Sequence, residues 1–154
     1  MVKEFNINEF LKKAVATGAS DEHLIVNQPP FIRKNGFMKR VAILTNGGDA
    51  PGLNAAIRGV CRSAMINYGM KIVGIRNGYR GLVNGDCFTV KSDDVSGILT
   101  RGGTILGTAR DKPFKKPVPN PDTGLLPIEA IKKNYEKWKL DALVVLGGNG
   151  TNTT

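Results

Sequence analysis

No apolar run in the 154-residue chain reaches the ~18 residues that a membrane-crossing helix needs. Nor does the N-terminus show a basic region followed by an apolar core, so the expectation is a cytoplasmic protein with no membrane partner. Cysteine is scarce as well. Cys61 and Cys87 match no metal-ligand spacing and are too few for a disulfide framework, and both read as structural thiols. Histidine occurs once, and His23 reads as a strand or surface residue and not as a ligand. Aromatic residues make up 6% of the chain and nowhere alternate with a basic run. That pattern lacks the stacking platform a single-stranded nucleic acid needs.

Charge of one sign is in excess, at a formal net +9. Such a balance on its own points to nucleic acid, but its distribution does not. Residues 1–38 hold five Lys/Arg against four Asp/Glu, and the other seventeen against nine are spread thinly over the remainder. The excess reads as cations at a phosphate site plus solvated faces, with no nucleic-acid partner.

What the chain has in abundance is glycine, nineteen residues of it, gathered where apolar runs stop. Val41 to Leu44 is wholly apolar and too short for a helix, as in a buried parallel strand, and it runs into Gly47 and Gly48. Pro51 suits the first position of a following helix. Strand, glycine turn and helix N-terminus together form an anion site, or else a tight turn that holds no ligand. Leu143 to Leu146 repeats the pattern, running into Gly147, Gly148, Asn149, Gly150 and Thr151. Between the two lies Arg101-Gly-Gly-Thr-Ile-Leu-Gly-Thr-Ala-Arg110, a glycine-rich stretch ending in a cation suited to phosphate oxygens. In an open α/β sheet such loops meet beyond the carboxyl ends of the strands.

Four segments now carry a resemblance. Gly47-Gly-Asp-Ala-Pro-Gly-Leu-Asn-Ala-Ala-Ile-Arg-Gly59, Asn77-Gly-Tyr79, Arg101-Gly-Gly-Thr104 through Ala109-Arg110, and Gly147-Gly-Asn-Gly-Thr151 resemble ATP-dependent 6-phosphofructokinase in order and spacing, from Met38 to Thr154. The resemblance implies transfer of the ATP γ-phosphoryl group to fructose 6-phosphate in glycolysis, with Mg²⁺, by a homo-oligomer when complete. It implies that Gly48 holds phosphate through its backbone, that Arg110 contacts the transferring group, and that Asp111 follows it in the ATP site. Gly148, Asn149, Gly150 and Thr151 match the loop over the nucleotide phosphates. Asn149 stands where the family commonly has the aspartate that binds Mg²⁺ through water, and the lost charge weakens that hold. Pyrophosphate-dependent relatives typically place an aspartate at the position of Gly150. Arg58 and Arg62 match an allosteric nucleotide site between subunits, and a solvated helix surface fits them equally. The family's catalytic-base loop lies downstream of the residues present, so the chain reads as an incomplete phosphofructokinase. A non-catalytic nucleotide-binding or interaction remnant, or a pyrophosphate-dependent relative, is the alternative.

Residues 1–37 differ in character. Asn6 to Thr17 has the apolar spacing of an amphipathic helix, His23 to Val26 and Phe31 to Lys34 read as strands around a Pro29-Pro30 break, and Asn35-Gly36 favours a hairpin. Gly18-Ala-Ser-Asp-Glu-His-Leu24 and Pro29-Pro-Phe-Ile-Arg-Lys-Asn-Gly36 resemble the N-terminal segment of type IV pilus retraction ATPases, without that family's Walker loop.

Further along, Leu53, Ala56, Ile57, Val60, Cys61, Ala64, Met65 and Tyr68 share one helical face that Gly69 ends. Met70 to Ile75 reads as a strand, Asn77 to Gly81 as a turn, and Asp86 to Lys91 as an edge strand. Ser92 can cap a short helix reaching Leu99. Asp111 to Asp122, with four prolines, reads as a long loop, either a lid or a surface connection. A last helix from about Pro127 shows Ile128, Ile131, Tyr135 and Trp138 on one face. The fold class is therefore α/β: half of a doubly wound, mostly parallel sheet domain (38–154), preceded by a short α+β segment (1–37). If that boundary is right, a chain beginning at Met38 melts cooperatively within a few degrees of the 154-residue chain in a calorimetric scan. Loss of the cooperative transition would mean that the two parts share a core.

Overall fold

The computed structural model describes residues 39–115, 117–120 and 123–152, together with the backbone of 19–23 and 31–34. The chain divides into two compact units, Met1–Met38 and Lys39–Thr154. In the first, β1 (Ala19–His23) pairs antiparallel with β2 (Phe31–Lys34). The second strand lies where its apolar content suggests. The first does not: the ladder pairs His23 with Phe31, so the pairing segment lies N-terminal to the apolar run His23–Val26. The expected helix Asn6–Thr17, the Pro29-Pro30 break and the Asn35-Gly36 turn fall outside the described residues.

The second unit is built on a four-stranded sheet. β3 (Arg40–Thr45), β4 (Lys71–Ile75) and β6 (Ala142–Leu146) run parallel, β5 (Cys87–Val90) runs antiparallel to β4, and the order is β5-β4-β3-β6. β3 is therefore paired on both sides, Val41 with Ile72 and with Ala142. It is also covered on both faces, which is why an unbroken apolar run suits it: Ala42, Ile43 and Leu44 are fully buried. Period-2 alternation divides its side chains between two cores. Ile43 joins Ile72, Val90, Val95, Ile98 and Leu106 with Ile57, Cys61 and Ala64 of α1 (Leu53–Tyr68). Ala42 and Leu44 join Val73, Ile75 and Leu140 with Tyr79 and Leu82 of α2 (Gly78–Asn84), and Ile131, Tyr135 and Trp138 of α3 (Pro127–Lys137) or its cap pack against them. The unit is an α/β domain with a mostly parallel sheet and helices on both faces. Burial pushes the Cys61 thiol up to about 11, as befits a packing residue; Cys87, half-buried, rises to about 11 through burial and then the charge of Asp86.

Several local expectations are corrected. The helix after the first glycine turn starts at Leu53, not at Pro51, because Gly52 takes a left-handed φ of 96° and separates the proline from the helix. Ala56 is exposed, and Asn54 occupies the buried face in the first turn instead. Asn77 to Gly81 is not a simple turn but the entry to α2, with Asn77 left-handed at φ 54°. Glycine inside this helix follows from packing: a Cβ at Gly81 would collide with the carbonyl oxygen of Arg76. The segment after Ser92 forms two 3-10 turns, Asp93–Val95 and Ile98–Thr100. Ser92 makes no capping bond there; Asp94 Oδ2 accepts the Lys91 N–H at 2.7 Å. On α3, Ile128 is 42% exposed, while Pro127 and Ala130 are buried in its place. The helix entry is held by Leu126 N–H donating to Glu129 Oε2 at 3.0 Å.

Candidate functional site

β3 and β6 end side by side, with Thr45 in register with Leu146, so the loops that follow them share one rim of the sheet. Asn46 N–H donates to the carbonyl of Leu146 at 2.9 Å, and Gly47 N–H to that of Ala109 at 2.7 Å. The loop 101–109 is fastened from below. Thr45 Oγ1 donates to Gly107 O at 2.6 Å and lies 2.9 Å from Thr104 Oγ1; Asn54 Nδ2 donates to Gly103 O at 2.6 Å, and its Oδ1 accepts the Ile105 N–H at 2.9 Å. Asp49 closes it from above, Oδ1 accepting the Thr104 N–H at 2.9 Å.

These ties enclose a cleft of about 330 Å³ lined by Asn46, Gly47, Gly48, Arg110, Lys112, Gly148, Gly150 and Thr151. Its glycines fall into two kinds. At Gly147 a Cβ would sit 2.5 Å from Thr151 Oγ1 and 2.7 Å from Asn46 O, so neighbours occupy the space, and at Gly47 a left-handed φ of 101° calls for glycine, with Thr151 Oγ1 a tight 3.1 Å away. At Gly48, Gly148 and Gly150 a Cβ would meet nothing within 4 Å. Open glycines leave backbone exposed to an approaching ligand, and Arg110 and Lys112 supply cations to the same space.

The expected site residues are thus partly gathered. Gly48, Arg110, Gly148, Gly150 and Thr151 meet in the cleft, but the Thr151 hydroxyl is buried, donating to Asn46 O at 3.0 Å, and its role is to brace the loop. Asn149 is exposed at the start of the short α4 (Asn149–Asn152) and does not line the cleft. Asp111 faces the other way. Its carboxylate takes a bidentate pair from Arg80, Nε to Oδ2 at 2.9 Å and Nη2 to Oδ1 at 3.2 Å, and the hydrogen bond followed by the charge raises the Arg80 pKa. It lines a neighbouring cavity of about 220 Å³ with Tyr79, Val83, Pro113, Val118 and Pro127, to which Lys112 also contributes. Arg58 and Arg62 sit half-buried on α1 and line neither cavity, and Arg58 Nη1 is a buried nitrogen without a hydrogen-bond partner. The N-terminus of α1 also departs from expectation. Asp49 to Gly52 separate it from the glycine turn, and it opens on a third cavity of about 300 Å³ beside Arg101.

Two lining residues, Asn46 and Lys112, were not singled out from the sequence. Lys112 precedes Pro113, which disfavours helix there, and a cation two residues after Arg110 in such a stretch was the available signal. Asn46 carried a signal too, as an amide placed where a buried central strand gives way to glycine.

A sheet of this kind, with its cleft beyond the carboxyl ends of two adjacent parallel strands, defines an α/β domain of the ligand-binding sort. The family model for phosphofructokinase matches residues 40–154, and the chain belongs to that family. It is 58% identical over 127 residues to an ATP-dependent 6-phosphofructokinase of Spirochaeta thermophila, covering 76% of this chain and 34% of the relative. A second relative so named, from Propionibacterium freudenreichii, is 57% identical over 112 residues, with 73% and 30% covered. The chain thus spans about a third of the length of the curated relatives it matches. Among solved structures, the phosphofructokinase of Saccharomyces cerevisiae superposes with a TM-score of 0.63 at 38% identity, over 75% of this chain and 14% of the other. A pyrophosphate-dependent phosphofructokinase from Marinobacter aquaeolei, at 18% identity and TM-score 0.57 over 73% of this chain and 27% of the other, shares the fold.

The two kinds of glycine are separable by experiment. Gly147→Ala forces a Cβ against Thr151 and Asn46 and should destabilise the chain by about 1–3 kcal/mol. Gly148→Ala should stay within about 0.5 kcal/mol of the parent in the same urea titration. Equal losses would show that packing does not distinguish them.

Proposed function

We propose that the complete protein transfers the γ-phosphoryl group of ATP to the 1-hydroxyl of fructose 6-phosphate, and that the residues described here bind the phosphates and the nucleoside. The observation that carries this reading is the convergence of three unobstructed glycines with Arg110 and Lys112 in one cleft. Phosphoryl transfer depends mainly on positioning and charge neutralisation, for which bare backbone and two cations are suited. Lys112 borders both cavities, so a nucleotide whose phosphates occupy the first can place its nucleoside in the second, where Tyr79, Val83, Pro113, Val118 and Pro127 offer an apolar wall to a base. Arg110 takes the role of neutralising charge on the transferring group.

Mg²⁺ belongs to the reading as the companion of ATP, and supplies charge neutralisation when bound. The described residues do not themselves fit a metal site: they contain no group of three or more His, Cys, Asp or Glu, and Asn149 is neutral. The carboxylates nearest the cleft are committed, Asp49 to the Thr104 N–H and Asp111 to Arg80, so neither suits a general base for the sugar hydroxyl. That work falls to residues outside these segments in a full-length enzyme, which we take to be a cytoplasmic homo-oligomer, with Arg58 and Arg62 at an effector site. For residues 1–37, the resemblance to retraction ATPases supports a separate segment without motor activity.

The 154-residue chain should bind inorganic tripolyphosphate in calorimetric titrations, and Arg110→Ala should weaken that binding about tenfold or more, as expected for a charge-assisted contact. A coupled assay for fructose 1,6-bisphosphate should stay at the blank. Absence of binding would overturn the phosphate reading, and turnover abolished by Arg110→Ala would show that these residues supply the general base after all.

Gly150 bears on the donor. With no neighbour within 4 Å of a Cβ, it leaves room at the phosphate loop, whereas a carboxylate there would crowd and repel a nucleotide's α-phosphate. A full-length enzyme carrying this segment should show a higher kcat/KM with ATP than with pyrophosphate at matched Mg²⁺. The reverse order would count against a nucleotide donor.

A further inference from the structure

Asn46 is 4% exposed, and its amide bonds in two directions. Nδ2 donates to Thr151 Oγ1 at 3.4 Å, and Oδ1 accepts the backbone N–H of Tyr79 at 3.3 Å. Thr151 answers by donating to Asn46 O at 3.0 Å. The loop on one side of this residue carries Gly148 and Gly150 of the glycine cleft; the helix start on the other carries Tyr79 of the adjoining cavity. Asn46 also crowds two glycines: a Cβ at Gly78, which takes a left-handed φ of 63°, would lie 2.5 Å from Asn46 Oδ1, and one at Gly147 would lie 2.7 Å from Asn46 O as well as against Thr151. A short amide is suited to this place because it presents both donor hydrogens and an acceptor oxygen on a single branched tip. Aspartate lacks the donor and leucine lacks both. Tyr79 in turn sets Phe114, their rings meeting edge to face at 5.8 Å.

We propose that Asn46 is a positioning residue that couples the two cavities, so that filling the glycine cleft orders the Tyr79 wall of its neighbour. The proposal rests on the phosphate reading of that cleft. Its signature is a response at a place the ligand does not touch, since Tyr79 does not line the glycine cleft.

The test is amide hydrogen exchange on the 154-residue chain with and without saturating tripolyphosphate, together with titrations of variants. In the parent chain, tripolyphosphate should slow exchange at the Tyr79 amide as well as at Thr151. Asn46→Ala should weaken tripolyphosphate binding about tenfold, the equivalent of one good hydrogen bond, and abolish the response at Tyr79. Thr151→Val should weaken binding similarly, Thr151→Ser should restore it, and Asn46→Ala with Thr151→Val should be no worse than either alone. A role in folding alone would lower the melting temperature of these variants while leaving affinity and the Tyr79 response intact well below it, and that result overturns the proposal. Losses that multiply to about a hundredfold in the double variant overturn it as well. Should Asn46→Ala fail to fold, the Tyr79 response of the parent chain decides. Tripolyphosphate bound without that response sinks the coupling alone, whereas no binding at all removes the phosphate reading and the coupling together.

Discussion

Where β3 leaves the sheet, its last polar groups lose their ladder partners at a place with almost no access to water, and buried backbone groups must find replacements. Two segments supply them, the loop 101–109 and the stretch from the end of β6 into α4. Thr45 Oγ1 reaches Gly107, Asn46 N–H reaches Leu146, Gly47 N–H reaches Ala109, and the carbonyls of Asn46 and Gly47 are met by the hydroxyls of Thr151 and Thr108. Because the bonds all converge on three consecutive residues, the loops of the cleft cannot be placed independently. A shift in one strips a buried group in another, at a cost on the order of 1–3 kcal/mol for each group left unpaired.

The same constraint explains why glycine is so frequent around this point. Gly78 and Gly147 stand where another residue's side chain or carbonyl already fills the Cβ position, Gly107 likewise has Asn77 Oδ1 at 2.5 Å from it, and Gly47 takes a left-handed φ of 101°. Close packing of the loops leaves the remaining glycines to face outward. The cleft is therefore a by-product of the bracing: tight glycines draw the backbones together, and open ones are the surface that the drawing together exposes.

This division also marks how far the amino-acid order can be read. β3 was legible because a strand buried on both faces must be apolar at every position, a demand that leaves a trace in any window of a few residues, and β6, outermost in the described sheet and only half-buried, carries a similar apolar run. The right-hand limit of α1 was legible in Gly69, which takes the left-handed C-cap at φ 57°. α2 was not, since Gly78 and Gly81 are poor helix formers in isolation and earn their places through contacts with Thr45, Asn46 and Arg76, residues from outside the helix or before its start. Ile128 misled for the opposite reason. Helical spacing ranks it with Ile131 and Tyr135, but the direction from which the sheet approaches α3 buries Pro127 and Ala130 instead. At the site, the glycines and Arg110 could be picked out by type, whereas the partners of Thr151 and Asp111 are set by pairs 105 and 31 residues apart, which no local pattern encodes.

The segment Arg110-Asp111-Lys112 shows how a weak interaction can still decide an arrangement. An exposed ion pair such as Arg80–Asp111, with side chains 63% and 39% accessible, contributes little to stability because water screens both charges. Its consequence is directional. With the middle carboxylate held toward α2, Arg110 is left to the glycine cleft and Lys112 to the border of the two cavities, and Pro113 disfavours a helix through the stretch. Two cations thus reach one cleft while the acid between them is paired elsewhere, an arrangement suited to an anion.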